Sequence, residues 1–172
     1  VVLGQQKFEC SHVEPTSPPT SRISSSPFPD RGACVEMSER LMALDSATMY
    51  FRAFHGVPTS LKASDGTVVN AVRGTLDAIG VLLEQFEPGA VIAAWDNDWR
   101  PAWRVDLIPE YKAHRVVQGT TDSEDVPSLL APQIPLVREA FGLLGIPVIG
   151  ADGQEADDVL GALSREWNGS TI

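Results

Sequence analysis

Three short apolar runs, each leading into carboxylates, alternate with stretches of helical periodicity. Leu41-Met42-Ala43-Leu44 ends at Asp45, and Ala90-Val91-Ile92-Ala93-Ala94-Trp95 ends at Asp96. Ile146-Pro147-Val148-Ile149 leads into Gly150-Ala151-Asp152-Gly153-Gln154-Glu155-Ala156-Asp157-Asp158. Runs this short and this apolar read as buried strands. Residues 47–55 read as a short helix. From Thr67, the residues Val68, Val69, Val72, Leu76, Ile79, Leu82, Leu83 and Phe86 recur at helical spacing until Pro88-Gly89 stops them. A further helix starts between Pro127 and Pro135 and runs to Leu144, with proline tolerated only in its first turn and Gly145 as its C-terminal cap. The last helix spans Glu155 to Trp167. This alternation predicts an α/β fold, a parallel sheet with helices on both faces. Ligands of such sheets bind outside the carboxyl ends of the strands. Asp45, Asp96 and the 155–158 group are therefore predicted to meet on one rim.

Glu155, Asp157 and Asp158 fall within four residues at the start of a predicted helix. Helix capping and solvated charge explain one or two acidic residues there. Three, joined by two strand-end aspartates, repel one another unless something positive joins them. An oxygen-only set suits Mg²⁺ or Mn²⁺, and carboxylates from several segments can hold two ions around a phosphodiester. Zinc would call for a His/Cys cluster, which the folded part does not supply; His55 and His114 are lone histidines read as structural. Asp45 alone is also compatible with a dehalogenase-type phosphatase nucleophile. That chemistry wants a second aspartate two residues on, and residue 47 is Ala.

The balance of 13 Lys+Arg against 23 Asp+Glu gives a formal net charge of −10, which excludes a generally basic nucleic-acid binder but leaves room for a local patch. Arg100, Arg104, Lys112 and Arg115 form the densest basic stretch, interleaved with Trp99, Trp103 and Tyr111. Within the aperiodic segment 97–126 they read either as a solvated loop anchored by its aromatics or as phosphate contacts beside stacking rings. Arg52, one or two turns beyond Asp45, reads as a salt-bridge partner of the acidic group or as a phosphate clamp. Residues 1–38 are rich in Ser, Pro and Thr and read as a disordered tail ahead of a folded unit at 39–172. Met37, just ahead of the first strand, leaves open that the upstream part is an over-extended gene start. Cys10 and Cys34 lie in that tail without metal-ligand spacing and read as free thiols, which with the lack of a signal-like or membrane-length run suits the cytoplasm.

The motifs Tyr50-Phe51-Arg52-Ala53-Phe54-His55, Asn70-Ala71-Val72, Ala94-Trp95-Asp96, Arg104, Pro109-Glu110-Tyr111-Lys112-Ala113-His114-Arg115, Pro132-Gln133-Ile134-Pro135-Leu136 and Glu155-Ala156-Asp157-Asp158-Val159 together resemble the bacterial 5′–3′ exonuclease family. This is the 5′ nuclease domain of DNA polymerase I and its stand-alone relatives, kin to flap endonucleases. The resemblance runs over roughly residues 39–167, and Trp95 to Pro101 looks like the stand-alone actinobacterial type. It implies a PIN-like, resolvase-like domain and hydrolysis of DNA phosphodiesters near 5′ ends, flaps and RNA–DNA primers included, by a monomer in replication or repair. It implies metal roles for Asp45, Asp96, Glu155, Asp157 and Asp158. It gives Lys112 and Arg115 the catalytic contacts at the scissile phosphate, and assigns DNA contacts to Arg52, Arg104, Lys112 and Arg115. Ser46 departs from the family's usual Gly. Family members continue with another strand bearing two more metal-binding aspartates and a helix–hairpin–helix region, whereas this sequence stops at Ile172. The reading is thus of an N-terminal portion, with a non-catalytic DNA-binding remnant or a small-molecule phosphatase as alternatives.

Overall fold

The computed structural model describes residues 39–121 and 123–172; the predicted tail at 1–38 lies outside the described residues. The elements follow in the order β1 (Arg40–Asp45), α1 (Ser46–Gly56), α2 (Asn70–Phe86), β2 (Ala90–Ala94), α3 (Ala102–Leu107), a 3₁₀ turn (Ala113–Arg115), α4 (Gln133–Leu143), β3 (Val148–Ile149), α5 (Ala156–Glu166) and β4 (Ser170–Thr171). The sheet is parallel throughout, in the order β3-β2-β1-β4.

The register fixes which side chains reach which face. Met42 pairs with Val91 and Leu44 with Ala93. These four pack with Tyr50, Ile79, Val137 and Phe141, so α1, α2 and α4 cover one face of the sheet. Ala94, next in β2 and pointing the other way, packs with Ala156 and Val159 of α5 on the opposite face. Helices therefore lie on both faces, as the alternation predicts.

Several element ends follow from local chemistry. Helix α2 ends where Glu87 turns left-handed (φ 45°) ahead of Pro88-Gly89. Helix α4 carries Pro135 in its first turn and ends before Gly145, whose φ of 72° suits a residue without a Cβ. The start of α2 is different, because Val69 offers no capping side chain. Gln133 supplies the cap from α4: its Oε1 accepts the Ala71 N–H at 2.8 Å, while its Nε2 donates to Asn70 Oδ1 at 3.0 Å and Leu129 O at 2.8 Å. Asn70 Nδ2 in turn donates to the carbonyls of Phe54 and Val57, both at 2.8 Å. Both amides are fully buried, and together they clip α1, α2 and α4 to one another.

Three features differ from the sequence expectation. A six-residue helix, α3, and the 3₁₀ turn stand inside the segment read as aperiodic; both are too short to show periodicity. The third strand is only Val148–Ile149, and Ile146 instead fills the core. The sequence reading also ended its elements at Trp167, yet β4 adds a fourth strand beside Arg40 and Leu41 of β1. Two residues cannot show alternation, so β4 leaves no sequence signal. Gly169 admits it, since any Cβ there would collide with the Glu39 carbonyl.

Candidate functional site

A cleft of about 580 Å³ opens where the carboxyl ends of β1 and β2 meet the start of α5. Asp45, Asp96, Glu155 and Asp157 all reach it. One wall is α1, which presents Thr48, Phe51, Arg52 and His55 at helical spacing. The other is the segment after β2, which presents Trp99, Tyr111, Lys112, Arg115, Glu124 and Asp125.

Each carboxylate is held by its own backbone context. Asp45 caps α1: Oδ1 accepts the Thr48 N–H at 3.0 Å and Oδ2 accepts the Thr48 hydroxyl at 2.6 Å. Asp96 Oδ1 accepts the Ala156 N–H at 2.6 Å, tying the end of β2 to the first turn of α5. Burial raises the Asp96 pKa; the Ala156 N–H and Lys112 pull it down, while Asp45 and Glu155 push it further up. The Tyr50 phenol beneath is raised chiefly by burial, with the charges of Asp96, Glu124 and Asp45 adding to it. Burial leads both shifts, and the neighbouring carboxylates add to each.

Glu155 is almost wholly buried. Its Oε2 accepts from the Tyr111 hydroxyl and from Lys112 Nζ, both at 2.9 Å. Its Oε1 is buried without a hydrogen-bond partner, 3.7 Å from Arg104 Nε. Lys112 also donates to the Trp99 carbonyl at 2.9 Å, and its backbone is left-handed (φ 50°). That conformation costs a non-glycine residue about 1–2 kcal/mol, which the two Nζ contacts help offset. Asp157 is exposed on the cleft.

The second wall is shaped largely by Arg100, whose guanidinium donates to the carbonyls of Tyr111 (2.7 Å), Pro109 (3.2 Å) and Thr121 (3.3 Å). The sequence reading gave the anchoring of this loop to its aromatics; Arg100 also anchors it, through these three carbonyls. Trp103 is likewise an anchor, with Nε1 donating to the Gly153 carbonyl at 3.1 Å. Arg52 and Arg115, by contrast, are exposed on the cleft and form no ion pair within 4.0 Å among the described residues. Arg104 and Asp158, which the resemblance assigns to DNA and to metal, lie outside the cleft lining and pair with each other at 2.6 Å.

Residues 40–172 match the 5′–3′ exonuclease, N-terminal resolvase-like domain. The chain belongs to this family. It is 50% identical over 131 residues to a 5′–3′ exonuclease of Streptomyces coelicolor, covering 74% of this chain and 44% of that one. It is 49% identical over 132 residues to a 5′–3′ exonuclease of Mycobacterium tuberculosis, covering 74% of this chain and 42% of the relative. The chain thus spans less than half the length of these curated relatives. Its fold is similar to that of a bacteriophage T5 protein co-crystallised with metal ions, with a TM-score of 0.50, 21% identity, and coverage of 73% of this chain and 44% of that one. The family's resolvase-like description agrees with the parallel sheet seen here.

The cleft carboxylates that the sequence reading did not single out are Glu124 and Asp125. They enter the cleft because Val116 and Glu124 form an antiparallel bridge and the Asp125 N–H donates to the Arg115 carbonyl at 2.7 Å. The signal was the acidic pair itself, but nothing periodic around it fixed where it would fold. His55, read as structural, also reaches the cleft.

The carboxylates fit a hard divalent cation by donor type, and Asp157, exposed on the cleft, forms no ion pair within 4.0 Å among the described residues. They do not form a ready-made cage: among the described residues no three His, Cys, Asp or Glu side chains converge tightly enough to enclose an ion. Among the same residues, no helix is long and apolar enough to cross a membrane.

Proposed function

We propose that this chain carries the catalytic rim of a metal-dependent 5′–3′ DNA exonuclease or flap endonuclease. The single observation that supports this most is the meeting of Asp45, Asp96, Glu155 and Asp157, from separate segments, in one cleft that also holds Lys112, Arg52 and Arg115. In this reading the four carboxylates hold Mg²⁺ or Mn²⁺, two ions in the complete domain. Ions held there would supply Lewis-acid charge for phosphodiester hydrolysis by water, without a covalent intermediate.

The chain's own residues do the positioning. Arg52 on α1 and Arg115 on the opposite wall are free to take phosphates of the strand lying between them. Lys112, beside Glu155, brings a donor toward the scissile phosphate region. The substrate is DNA with a 5′ end or flap, RNA–DNA primers being covered by the same chemistry, and the working form is a monomer in replication or repair. A 5′-labelled flap substrate incubated with the chain and Mg²⁺ or Mn²⁺ tests this. Short labelled products that vanish with Asp96→Ala support it, whereas cleavage by wild type and Asp96→Ala alike refutes it.

A second reading, DNA binding without cleavage, is favoured by one observation: Lys112 Nζ is paired with Glu155 Oε2 at 2.9 Å. It predicts salt-sensitive binding that Lys112→Ala/Arg115→Ala abolishes, with the flap intact throughout.

A further inference from the structure

We infer that Arg104 and Asp158 act together as a positioning pair for Glu155, and that neither touches DNA or metal; this rests on the nuclease reading of the cleft. Both oxygens of Asp158 are engaged by the protein. Oδ1 accepts from Arg104 Nη2 at 2.6 Å, and Oδ2 accepts the backbone N–H of Glu155 at 3.0 Å. Asp158 thereby fixes the backbone of Glu155 at the N-terminus of α5.

The guanidinium of Arg104 is held just as closely. It lies 4.7 Å from the Trp103 ring centroid and 5.5 Å from that of Tyr111. Trp103 is itself pinned to Gly153, and Tyr111 to Glu155. Only 22% of the Arg104 side chain and 25% of the Asp158 side chain remain accessible, so their pairing is only partly screened by water. To reach a phosphate, Arg104 would leave a carboxylate at 2.6 Å and two aromatic faces. Its Nε sits beside the buried Glu155 Oε1 at 3.7 Å, while Lys112 and Tyr111 hold the other oxygen. Arg104 thus acts on Glu155 through Asp158, which holds the Glu155 backbone, and adds a charge contact to Oε1 without a hydrogen bond.

Mn²⁺ binding followed by electron paramagnetic resonance, and DNA binding followed by anisotropy across a salt titration, test the pair without relying on turnover. By charge alone, removing Arg104 would tighten cation binding, since it deletes a positive neighbour. A positioning role predicts the reverse: Arg104→Met weakens Mn²⁺ severalfold, and Asp158→Asn weakens it similarly with the number of bound ions unchanged. The double variant is then no weaker than the worse single one. The salt slope of DNA binding stays at the wild-type value in Arg104→Met, whereas Arg52→Met lowers it by about 0.7–0.9, the loss of one phosphate contact. Tighter Mn²⁺ in Arg104→Met, an equal drop in its salt slope, or loss of an ion in Asp158→Asn overturns the inference. Asp158→Asn carries the ion test independently should Arg104→Met not fold. A wild-type chain that binds neither Mn²⁺ nor DNA removes the nuclease reading itself, an outcome distinct from failure of the pair.

Discussion

The two walls of the cleft are built by opposite means. Helix α1 rests on the main apolar core, is capped by Asp45 at one end, and is clipped at the other by the buried Asn70–Gln133 pair. The facing wall, residues 97–125, adds none of its described residues to that core and is held by polar contacts, chiefly Arg100 on three carbonyls and Lys112 and Arg104 on carboxylates. A wall of the first kind moves only with global unfolding, whereas one of the second kind can open on its own. Three of the polar wall's cations, Arg100, Arg104 and Lys112, are engaged in holding it together, while Arg115 there and Arg52 on the helical wall are exposed to the cleft.

The contrast can be broken most forcefully in the core. Phe141 is fully buried between α4 and the sheet, and Phe141→Ala is expected to cost about 3–5 kcal/mol in urea unfolding, the usual range for such a truncation. Arg100→Met is expected to leave the urea midpoint nearly in place, within about 1 kcal/mol, and to increase proteolysis between residues 97 and 126. If Arg100→Met instead lowers global stability as Phe141→Ala does, the two walls are one cooperative unit and the contrast fails.

Asp45 sharpens the comparison because it both caps a helix and lines the cleft. Asp45→Ala should cost about 1 kcal/mol, the ordinary value of an N-cap, while Asp45→Asn should keep most of that stability. Both should lose divalent-ion affinity. An Asp45→Asn variant that binds Mn²⁺ as the wild type does would remove Asp45 from the ion site.

The smallest effect concerns Glu124 on the polar wall. Burial raises its carboxyl pKa, with Arg115 and Lys112 opposing and Asp96 adding to the rise. A pKa raised in the folded state favours folding while the group is protonated, below its unfolded value. That contribution fades as pH climbs through the folded value. Glu124→Gln should therefore gain slightly in thermal stability over wild type at neutral pH, with the gap closing in acid. A gap that widens in acid would show that Glu124 is stabilised as an anion.

The fold was legible wherever burial imposed a period. The runs at 41–44 and 90–95 and the apolar stripe from Val68 to Phe86 fixed β1, β2 and α2, and the strand-end positions of Asp45 and Asp96 followed from chain direction alone. Helix α3, the 3₁₀ turn and β4 were not legible, because six, three and two residues cannot show a period. For the site, residue type indicated which side chains are acidic or basic but not what engages them. Arg52, Arg104 and Arg115 look alike as letters; only tertiary placement puts Arg104 between Trp103 and Tyr111 and leaves the other two exposed. Glu124 needed a cross-loop bridge to Val116 to reach the cleft, and no local pattern encodes that.

Titration of the metal-free chain with Mn²⁺ most directly tests whether the strand-end carboxylates share one ion site. Saturable binding in the wild type that is lost in Asp96→Asn, with that variant's fold and thermal transition retained, is the predicted result. Binding of equal strength in Asp96→Asn, or no saturable binding in the wild type, would contradict it.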